Sequence, residues 1–214
     1  MQFVPPRLYV ILDAALLTRP ALQLVRELAQ AGVRLMQYRN KLGPAREVLT
    51  TSRELVEVLS PSGVSVIVND RADIAMIAGA DGVHLGQEDL EVEQARGIIG
   101  ADRWVGVSTH NLEQFRSAAA TSADYIAVGP VFATSSKANP DPVIGTEFIR
   151  EVRRLTDKPI VAIGGITLET AGSVIAAGAD SVAVISDILR AGDPAERARR
   201  YLEVLGTTNR VAAV

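Results

Sequence analysis

The sequence contains no cysteine and very few aromatic residues. None of its 214 residues is Cys, and Phe, Trp and Tyr together make up 4%. The absence of cysteine excludes disulfides, thiolate metal sites and a cysteine nucleophile. Because 48% of the residues are nevertheless hydrophobic, the core must be built mainly from Val, Ile, Leu and Ala. These residues are typical of buried parallel strands and of the helices that cover them.

The chain also lacks an excess of charge of either sign and long hydrophobic runs. The formal net charge is −3, which does not suit a nucleic-acid-binding surface. No run of about 18 apolar residues is present, so no membrane span is expected. The first residues, MQFVPPRLYVIL, lack the charged start and long apolar stretch of a signal peptide. We therefore expect a cytoplasmic protein that binds neither nucleic acid nor membrane.

Eight short apolar runs recur along the chain. Each is nearly continuously apolar, which is typical of strands that are covered on both faces. The predicted strands are Leu8–Leu12, Arg34–Tyr38, Val64–Val68, Gly82–Leu85, Trp104–Val107, Tyr125–Val128, Ile160–Ile163 and Ser181–Ile185.

Helical patterns lie between these runs, for example in Pro20–Ala31, Arg46–Leu59 and Thr146–Leu155. Eight strand–helix alternations predict an α/β fold, a (β/α)8 TIM barrel. The alternative is an open doubly wound sheet, which usually carries a Gly-x-Gly-x-x-Gly turn after its first strand. Here the first strand is followed by Asp-Ala-Ala-Leu-Leu-Thr, with no glycine.

We expect one domain over residues 1–214, with loose termini at 1–6 and from about 206 to 214. Three similar segments end in Asp81, Asp124 and Asp180, each just before a predicted strand. We interpret these aspartates as turn residues rather than as catalytic groups.

Polar residues concentrate after the strands, where barrel enzymes carry their active sites. Gln37, Arg39 and Lys41 alternate after the second strand and so project to one side of an extended chain. Two cations and an amide suit a diphosphate. The alternative is an ordinary solvated loop.

Carboxylates follow the third and fourth strands. Asn69 and Asp70 end the third strand, and Asp89 lies in the loop after the fourth. Neighbouring barrel loops lie side by side, so two carboxylates together with phosphate oxygens and water would suit Mg²⁺. Alternatively, Asp70 caps the helix that follows.

The fifth strand is followed by Ser108 and His110. Ser108 either bonds a ligand or turns the chain. His110 is either a general base or a loop histidine, since no triad partner is evident. His84, inside the fourth strand, is predicted to be structural.

The last loops suit phosphate groups. After the sixth strand, Thr134 and Ser136 precede Lys137, and the long connection over 133–144 is a candidate lid. After the seventh and eighth strands, Gly164-Gly165 and Ile185-Ser186 match the usual position of barrel phosphate sites. Glycine permits close backbone approach to an anion, although a tight strand–helix joint is the alternative.

Taken in order, these segments resemble the thiamine phosphate synthase family from Leu8 to about Leu189. The resemblance lies in the stretches LYVILD (8–13), QYRNK (37–41), VNDRAD (68–73), GADGVHLGQED (79–89), GVSTH (106–110), VGPVF (128–132), AIGGI (162–166) and AVIS (183–186). It implies an enzyme that joins a pyrimidine diphosphate to a thiazole phosphate with loss of pyrophosphate.

For the first substrate, the resemblance implies that Gln37, Arg39 and Lys41 hold the diphosphate. It implies that Asn69 touches the same substrate and that Lys137 contacts the pyrophosphate.

The resemblance further implies that Asp70 and Asp89 bind Mg²⁺ and that Ser108 faces the pyrimidine and pyrophosphate. The residues it implies in catalysis are Arg39, Lys41, Ser108 and Lys137. They would neutralise the leaving anion and align the rings without a strong base.

For the thiazole phosphate, the resemblance implies contacts from Thr134, Ser136, Gly165, Ile185 and Ser186. The family often has proline and threonine where this chain has Ala133 and Ser136.

Two other functions are compatible with the same fold. A related thiazole tautomerase shares the last two loops and uses a histidine near the fifth strand, which keeps His110 of interest. It usually lacks the paired aspartates and the full Gln-x-Arg-x-Lys set. A non-catalytic sensor would keep the cavities without the chemistry. The sequence leaves the oligomeric state open.

Overall fold

The computed structural model describes residues 3–134 and 141–206 and forms a closed barrel of parallel strands. Each strand pairs with the next along the chain, and the first pairs with the eighth to close the barrel. The strands are β1 (Leu8–Asp13), β2 (Leu35–Arg39), β3 (Ser65–Asn69), β4 (Gly82–Leu85), β5 (Trp104–Thr109), β6 (Tyr125–Val128), β7 (Ile160–Ile163) and β8 (Ser181–Val184). The predicted (β/α)8 barrel is confirmed.

Helices follow the strands and cover the outer face of the barrel. They are α1 (Ala21–Gln30), α2 (Ala45–Leu59), α3 (Ala72–Ala78), α4 (Val92–Ile99), α5 (Leu112–Ala119), α6 (Gly145–Arg153), α7 (Leu168–Ala176), α8 (Ser186–Leu189) and α9 (Pro194–Leu205). Their apolar stripes pack on the strands, and this layer holds most of the core. Among the described residues, no helix combines the length and apolar character that a membrane crossing requires.

Local sequence explains where several helices begin. The Asn111 side chain accepts the N–H of Gln114 at 2.9 Å and so caps α5. Thr167 forms a capping box with Thr170 at the start of α7. Both caps accept hydrogen bonds from N–H groups of the first helical turn, which have no acceptor within the helix.

The barrel interior holds a small second core that includes aromatic rings. Phe3 closes the bottom of the barrel, with its ring stacked on Tyr125 at 4.8 Å and edge-on to Trp104 at 4.7 Å. Within the segment 1–6 that we expected to be loose, Phe3 is only 2% exposed and so packs in the barrel, whereas Val4 is 66% exposed. Residues 207–214 lie outside the described part of the chain.

The three repeated aspartates form joints at the bottom of the barrel. The Asp180 carboxylate accepts the N–H of Ile160 at 2.9 Å and is paired with Arg153 at 2.8 Å. Asp81 and Asp124 accept N–H groups from the starts of the preceding strands in the same way, at 2.7 and 2.8 Å. Each aspartate thus ties one strand to the preceding strand, and the predicted turn role is confirmed.

Candidate active site

A cavity of about 440 Å³ opens at the carboxyl ends of the strands. We call it the central cavity. Its wall contains most of the residues that the sequence singled out, although they come from loops far apart in the chain. Those residues are Gln37, Arg39, Lys41, Asn69, Asp70, Asp89, Ser108, Thr134 and Ile185.

A second cavity of about 330 Å³ adjoins it, and we call it the glycine-loop cavity. Gly165 and Ser186 line it, as does Arg190, which the sequence did not single out. The two cavities share Thr134, Ile163, Gly164 and Ile185 in their walls. Two ligands bound in them would therefore be neighbours. Ser136 and Lys137 lie outside the described residues, as does half of the predicted lid, residues 135–140.

Arg39 is held by an acidic partner at the end of β1. The Arg39 guanidinium donates to the carboxylate of Asp13, which is 4% exposed. A buried carboxylate is costly unless it is paired, so each group fixes the other. The guanidinium is therefore oriented before any ligand arrives, which reduces the entropic cost of binding an anion.

Asp70 and Asp89 meet at the mouth of the barrel. The two side chains line the same cavity, and the Lys41 ammonium lies 3.3 Å from Asp70. Burial, followed by the neighbouring Asp89, raises the pKa of Asp70 to about 6, although Lys41 acts in the opposite direction. The Asp89 carboxylate also accepts the N–H of Gly86 at 2.7 Å. The predicted encounter of the two carboxylates is thus observed.

The backbone at Asp70 has a left-handed conformation, with φ of 63°. Aspartate tolerates this region better than most residues, yet the conformation is uncommon outside glycine. The Asp70 N–H donates to the His84 carbonyl at 2.7 Å and so helps to hold this turn. Helix α3 has Arg71 at its N-cap, without a side-chain cap. Asp70 is therefore not the helix cap that the sequence left possible.

These carboxylates fit a divalent cation that also binds phosphate oxygens. The described part of the chain holds no cluster of three or more His, Cys, Asp or Glu side chains suited to a metal. Two carboxylates alone are nevertheless typical of Mg²⁺, which keeps several waters and takes substrate phosphate oxygens.

The glycine-loop cavity depends on two residues that no other amino acid could replace without strain. Gly164 and Gly165 have φ of 99° and 63°. A Cβ on Gly164 would lie 2.5 Å from Cα of Pro130, and one on Gly165 would overlap the Ala133 carbonyl. The loop after β7 therefore packs directly on the backbone after β6, which supports both the joint and the anion-site interpretations of Gly164-Gly165.

His110 lies in the central cavity wall, and both of its ring nitrogens face polar groups. Nδ1 is 2.6 Å from the Gly129 carbonyl, and Nε2 is 3.5 Å from the Asp141 carboxylate. His84 is buried and bonds Tyr125 and Ser108 through its two nitrogens. His84 is thus held by hydrogen bonds inside the barrel, and it also lines the central cavity.

Sequence reasoning missed several residues of these walls, among them Asp13, Gln87 and Arg190. Asp13 could have been found, because it ends a strand and faces the mouth by the same rule that selected Arg39. Arg190 follows a helix rather than a strand, so strand-end reasoning could not select it.

Known proteins resemble this chain in sequence and in structure over nearly its whole length. The sequence profile of the family described as "Thiamine monophosphate synthase" matches residues 8–188. The thiamine-phosphate synthase of Koribacter versatilis is 53% identical over 205 residues, which cover 94% of this chain and 96% of that protein. The Moorella thermoacetica protein of the same name is 44% identical, covering 92% of this chain and 95% of its own length.

Among solved structures, thiamine phosphate pyrophosphorylase from Pyrococcus furiosus superposes with a TM-score of 0.84. It is 34% identical, and the match covers 93% of this chain and 95% of that one. The extent of the profile match and the identities over nearly full length show that this chain belongs to the thiamine monophosphate synthase family.

Proposed function

We propose that this protein synthesises thiamine phosphate. It joins 4-amino-2-methyl-5-(diphosphooxymethyl)pyrimidine to 4-methyl-5-(2-phosphooxyethyl)thiazole and releases pyrophosphate. The observation that carries the proposal is the pair of adjoining cavities, one lined by cations and carboxylates and the other by a glycine loop. The family membership and the names of the relatives support the same reaction.

The central cavity takes the pyrimidine diphosphate. Gln37, Arg39 and Lys41 bind its diphosphate, Asn69 contacts the same substrate, and Lys137 contacts the pyrophosphate. As the carbon–oxygen bond breaks, its electron pair leaves with pyrophosphate, and the aminopyrimidine ring stabilises the cation left on the benzylic-type carbon. Arg39 is already oriented by Asp13, so the stabilisation of the developing charge requires little reorganisation.

The glycine-loop cavity takes the phosphate of the thiazole. Gly165, Ile185 and Ser186 bind it together with Ser136, and Thr134 lies in the wall that the two cavities share. The thiazole nitrogen, placed next to the cationic carbon, forms the new carbon–nitrogen bond with its lone pair. No proton is transferred in this step, so no catalytic base is required.

Asp70 and Asp89 would hold Mg²⁺ beside the diphosphate. When bound, the ion supplies positive charge that stabilises the leaving pyrophosphate. The two carboxylates would hold it from neighbouring loops, while Gly86 and Lys41 fix the carboxylates.

The test is an assay with both substrates, run with Mg²⁺ and again with a chelator. Thiamine phosphate and pyrophosphate should appear in equal amounts and only with Mg²⁺. The variants Asp70→Asn and Asp89→Asn keep side-chain size, and Asn also tolerates the left-handed conformation at residue 70. Both should lose at least a hundredfold in turnover, as is usual when a transition-state electrostatic group is removed. Near-normal turnover in both variants would overturn the metal assignment.

The same assay separates the two other candidate functions. Binding of both substrates without product would identify a sensor. Conversion of the thiazole without condensation would identify a tautomerase, with His110 as the residue to test next. Ser186→Asp should weaken thiazole phosphate binding by like-charge repulsion, and unchanged affinity by calorimetry would mean that the phosphate binds elsewhere.

A further inference from the structure

A chain of hydrogen-bonded side chains crosses the barrel interior beneath the central cavity. Gln37 Nε2 donates to the Tyr9 hydroxyl at 2.7 Å, and the Tyr9 and Tyr125 hydroxyls are 3.2 Å apart. The Tyr125 hydroxyl is 3.0 Å from His84 Nδ1, and His84 Nε2 is 2.9 Å from Ser108 Oγ. Both end residues line the central cavity, whereas the two tyrosines are buried below it.

The barrel interior makes specific room for this chain. A Cβ on Gly106 would overlap the Tyr125 ring, so the ring lies across β5 only because that position is glycine. Buried tyrosine hydroxyls stabilise a protein only when they are partnered, and phenylalanine would fill the same space without that requirement. The hydroxyls of Tyr9 and Tyr125 therefore call for an explanation other than packing.

Both tyrosines remain protonated over the pH range in which proteins function. Burial raises the pKa of Tyr9 and of Tyr125 well above the ordinary value, although the hydrogen bonds with Tyr125 and with Gln37 oppose this for Tyr9. Each hydroxyl therefore has one hydrogen to donate. A buried hydroxyl that accepts one bond from a neighbour must direct its own hydrogen to the next group.

This requirement gives the whole series of hydrogen bonds one direction. Tyr9 accepts from the Gln37 amide and so donates to Tyr125. Tyr125 then donates to His84 Nδ1, and a neutral imidazole that accepts at Nδ1 carries its hydrogen on Nε2. That hydrogen is donated to Ser108 Oγ. The hydroxyl hydrogen of Ser108 is then left for the cavity.

We propose that Tyr9, Tyr125 and His84 are positioning residues that fix the Ser108 hydroxyl as a hydrogen-bond donor into the central cavity. The inference rests on the proposed function, in that the acceptor is an atom of the pyrimidine diphosphate. In the opposite arrangement Ser108 would donate to His84 and present only lone pairs. A ligand acceptor facing lone pairs would be left unpaired, which costs more than a merely missing contact.

The protonation state of His84 can be measured directly. The chain contains only two histidines, so ¹⁵N-histidine labelling gives spectra of two rings, and a His110→Gln variant assigns them. In the unmodified protein, His84 should show an unprotonated Nδ1 and a protonated Nε2. In Tyr125→Phe, Nδ1 loses its donor, and the Nδ1-protonated form should become populated. An Nδ1-protonated ring in the unmodified protein, or no change in Tyr125→Phe, would overturn the proposal.

Kinetics test whether the hydrogen-bonded side chains act through Ser108. Tyr125→Phe should lower kcat/KM about tenfold, the effect expected for one mispositioned hydrogen bond. In a Ser108→Ala background the same change should cost nothing more, because residues that act through one another are non-additive. Equal costs in both backgrounds would overturn the proposal.

Two further variants complete the test. Tyr38→Phe removes a buried tyrosine hydroxyl from the outer face of β2, where it accepts a 3.3 Å bond from Asn40, and should leave kcat/KM unchanged. Tyr9→Phe breaks the chain one step further from His84 and serves if Tyr125→Phe does not fold. The spectra require no turnover, so an inactive protein with the expected His84 ring would contradict the proposed function alone.

Discussion

Asp70 combines an uncommon backbone conformation with an uncommon proton affinity. Its φ is 63°, and burial beside Asp89 raises its pKa to about 6. Unusual backbone and raised proton affinity often coincide at functional sites. The sequence predicted that Asp70 and Asp89 come together, because both follow neighbouring parallel strands. It could not predict the raised pKa, which depends on the burial and approach of the two side chains.

The first prediction concerns the pH dependence of metal binding at this pair. A cation binds the ionised carboxylate, so binding displaces a proton wherever Asp70 is protonated. The apparent Mg²⁺ affinity should be constant above about pH 7 and should fall about tenfold per pH unit below pH 6. Calorimetric titration with Mg²⁺ alone between pH 5 and 8 would measure it, because pyrophosphate itself titrates in this range. An affinity independent of pH over this range would contradict the assignment.

The same residue has a consequence for stability in the absence of metal. The pKa of Asp70 is higher in the folded protein than in the unfolded chain, so its contribution is most favourable below about pH 4 and is lost as pH rises through 6. Asp70→Asn removes this loss. With chelator present, the melting temperature of the variant minus that of the unmodified protein should therefore increase as the pH is raised from 4.5 to 7.5. A difference that does not change with pH would contradict the pKa shift.

At the scale of elements, each strand of the barrel was recognisable because both faces are buried. Six-residue β1, for example, is buried throughout, and its continuous apolar run has no helical period. Contacts inside the barrel were not recognisable. Tyr9 and Tyr125 are 116 residues apart, and nothing local to either indicates that their hydroxyls meet. Gly106 resembled an ordinary strand glycine until the Tyr125 ring was seen to lie against it.

The second prediction concerns the aspartate joints between strands. Asp180→Ala removes a carboxylate that accepts the Ile160 N–H and an Arg153 hydrogen bond. Hydrogen bonds to charged groups each contribute about 1.5–3 kcal/mol. Because water reaches the partly exposed pair and weakens both bonds, we expect the free energy of unfolding to fall by about 2–3 kcal/mol in total. Denaturant unfolding would measure it. Asp157→Ala, a nearby exposed change, should stay within about 0.5 kcal/mol. Equal effects of the two changes would contradict a role for the joint.

At the scale of the whole molecule, the joints and the site occupy opposite ends of the barrel. Barrels separate stability from function in this way, with chemistry at the carboxyl ends of the strands. Here the Asp180 joint ties the start of β7, whereas Asp89 and Lys41 lie beyond the ends of β4 and β2. Changes at the two ends share no partner among the described contacts, so their free energies should add.

The third prediction uses this separation. Mg²⁺ with pyrophosphate at about 100 times its dissociation constant should stabilise the protein by about 2.7 kcal/mol. Asp180→Ala should unfold at lower denaturant without ligand yet gain the same increment, because its cavity is unchanged. Without ligand, Asp89→Asn should change the free energy of unfolding less than Asp180→Ala does. With ligand, it should lose most of the increment. If Asp180→Ala also lost the increment, the joint would influence the mouth of the barrel, and the two ends would form one coupled unit.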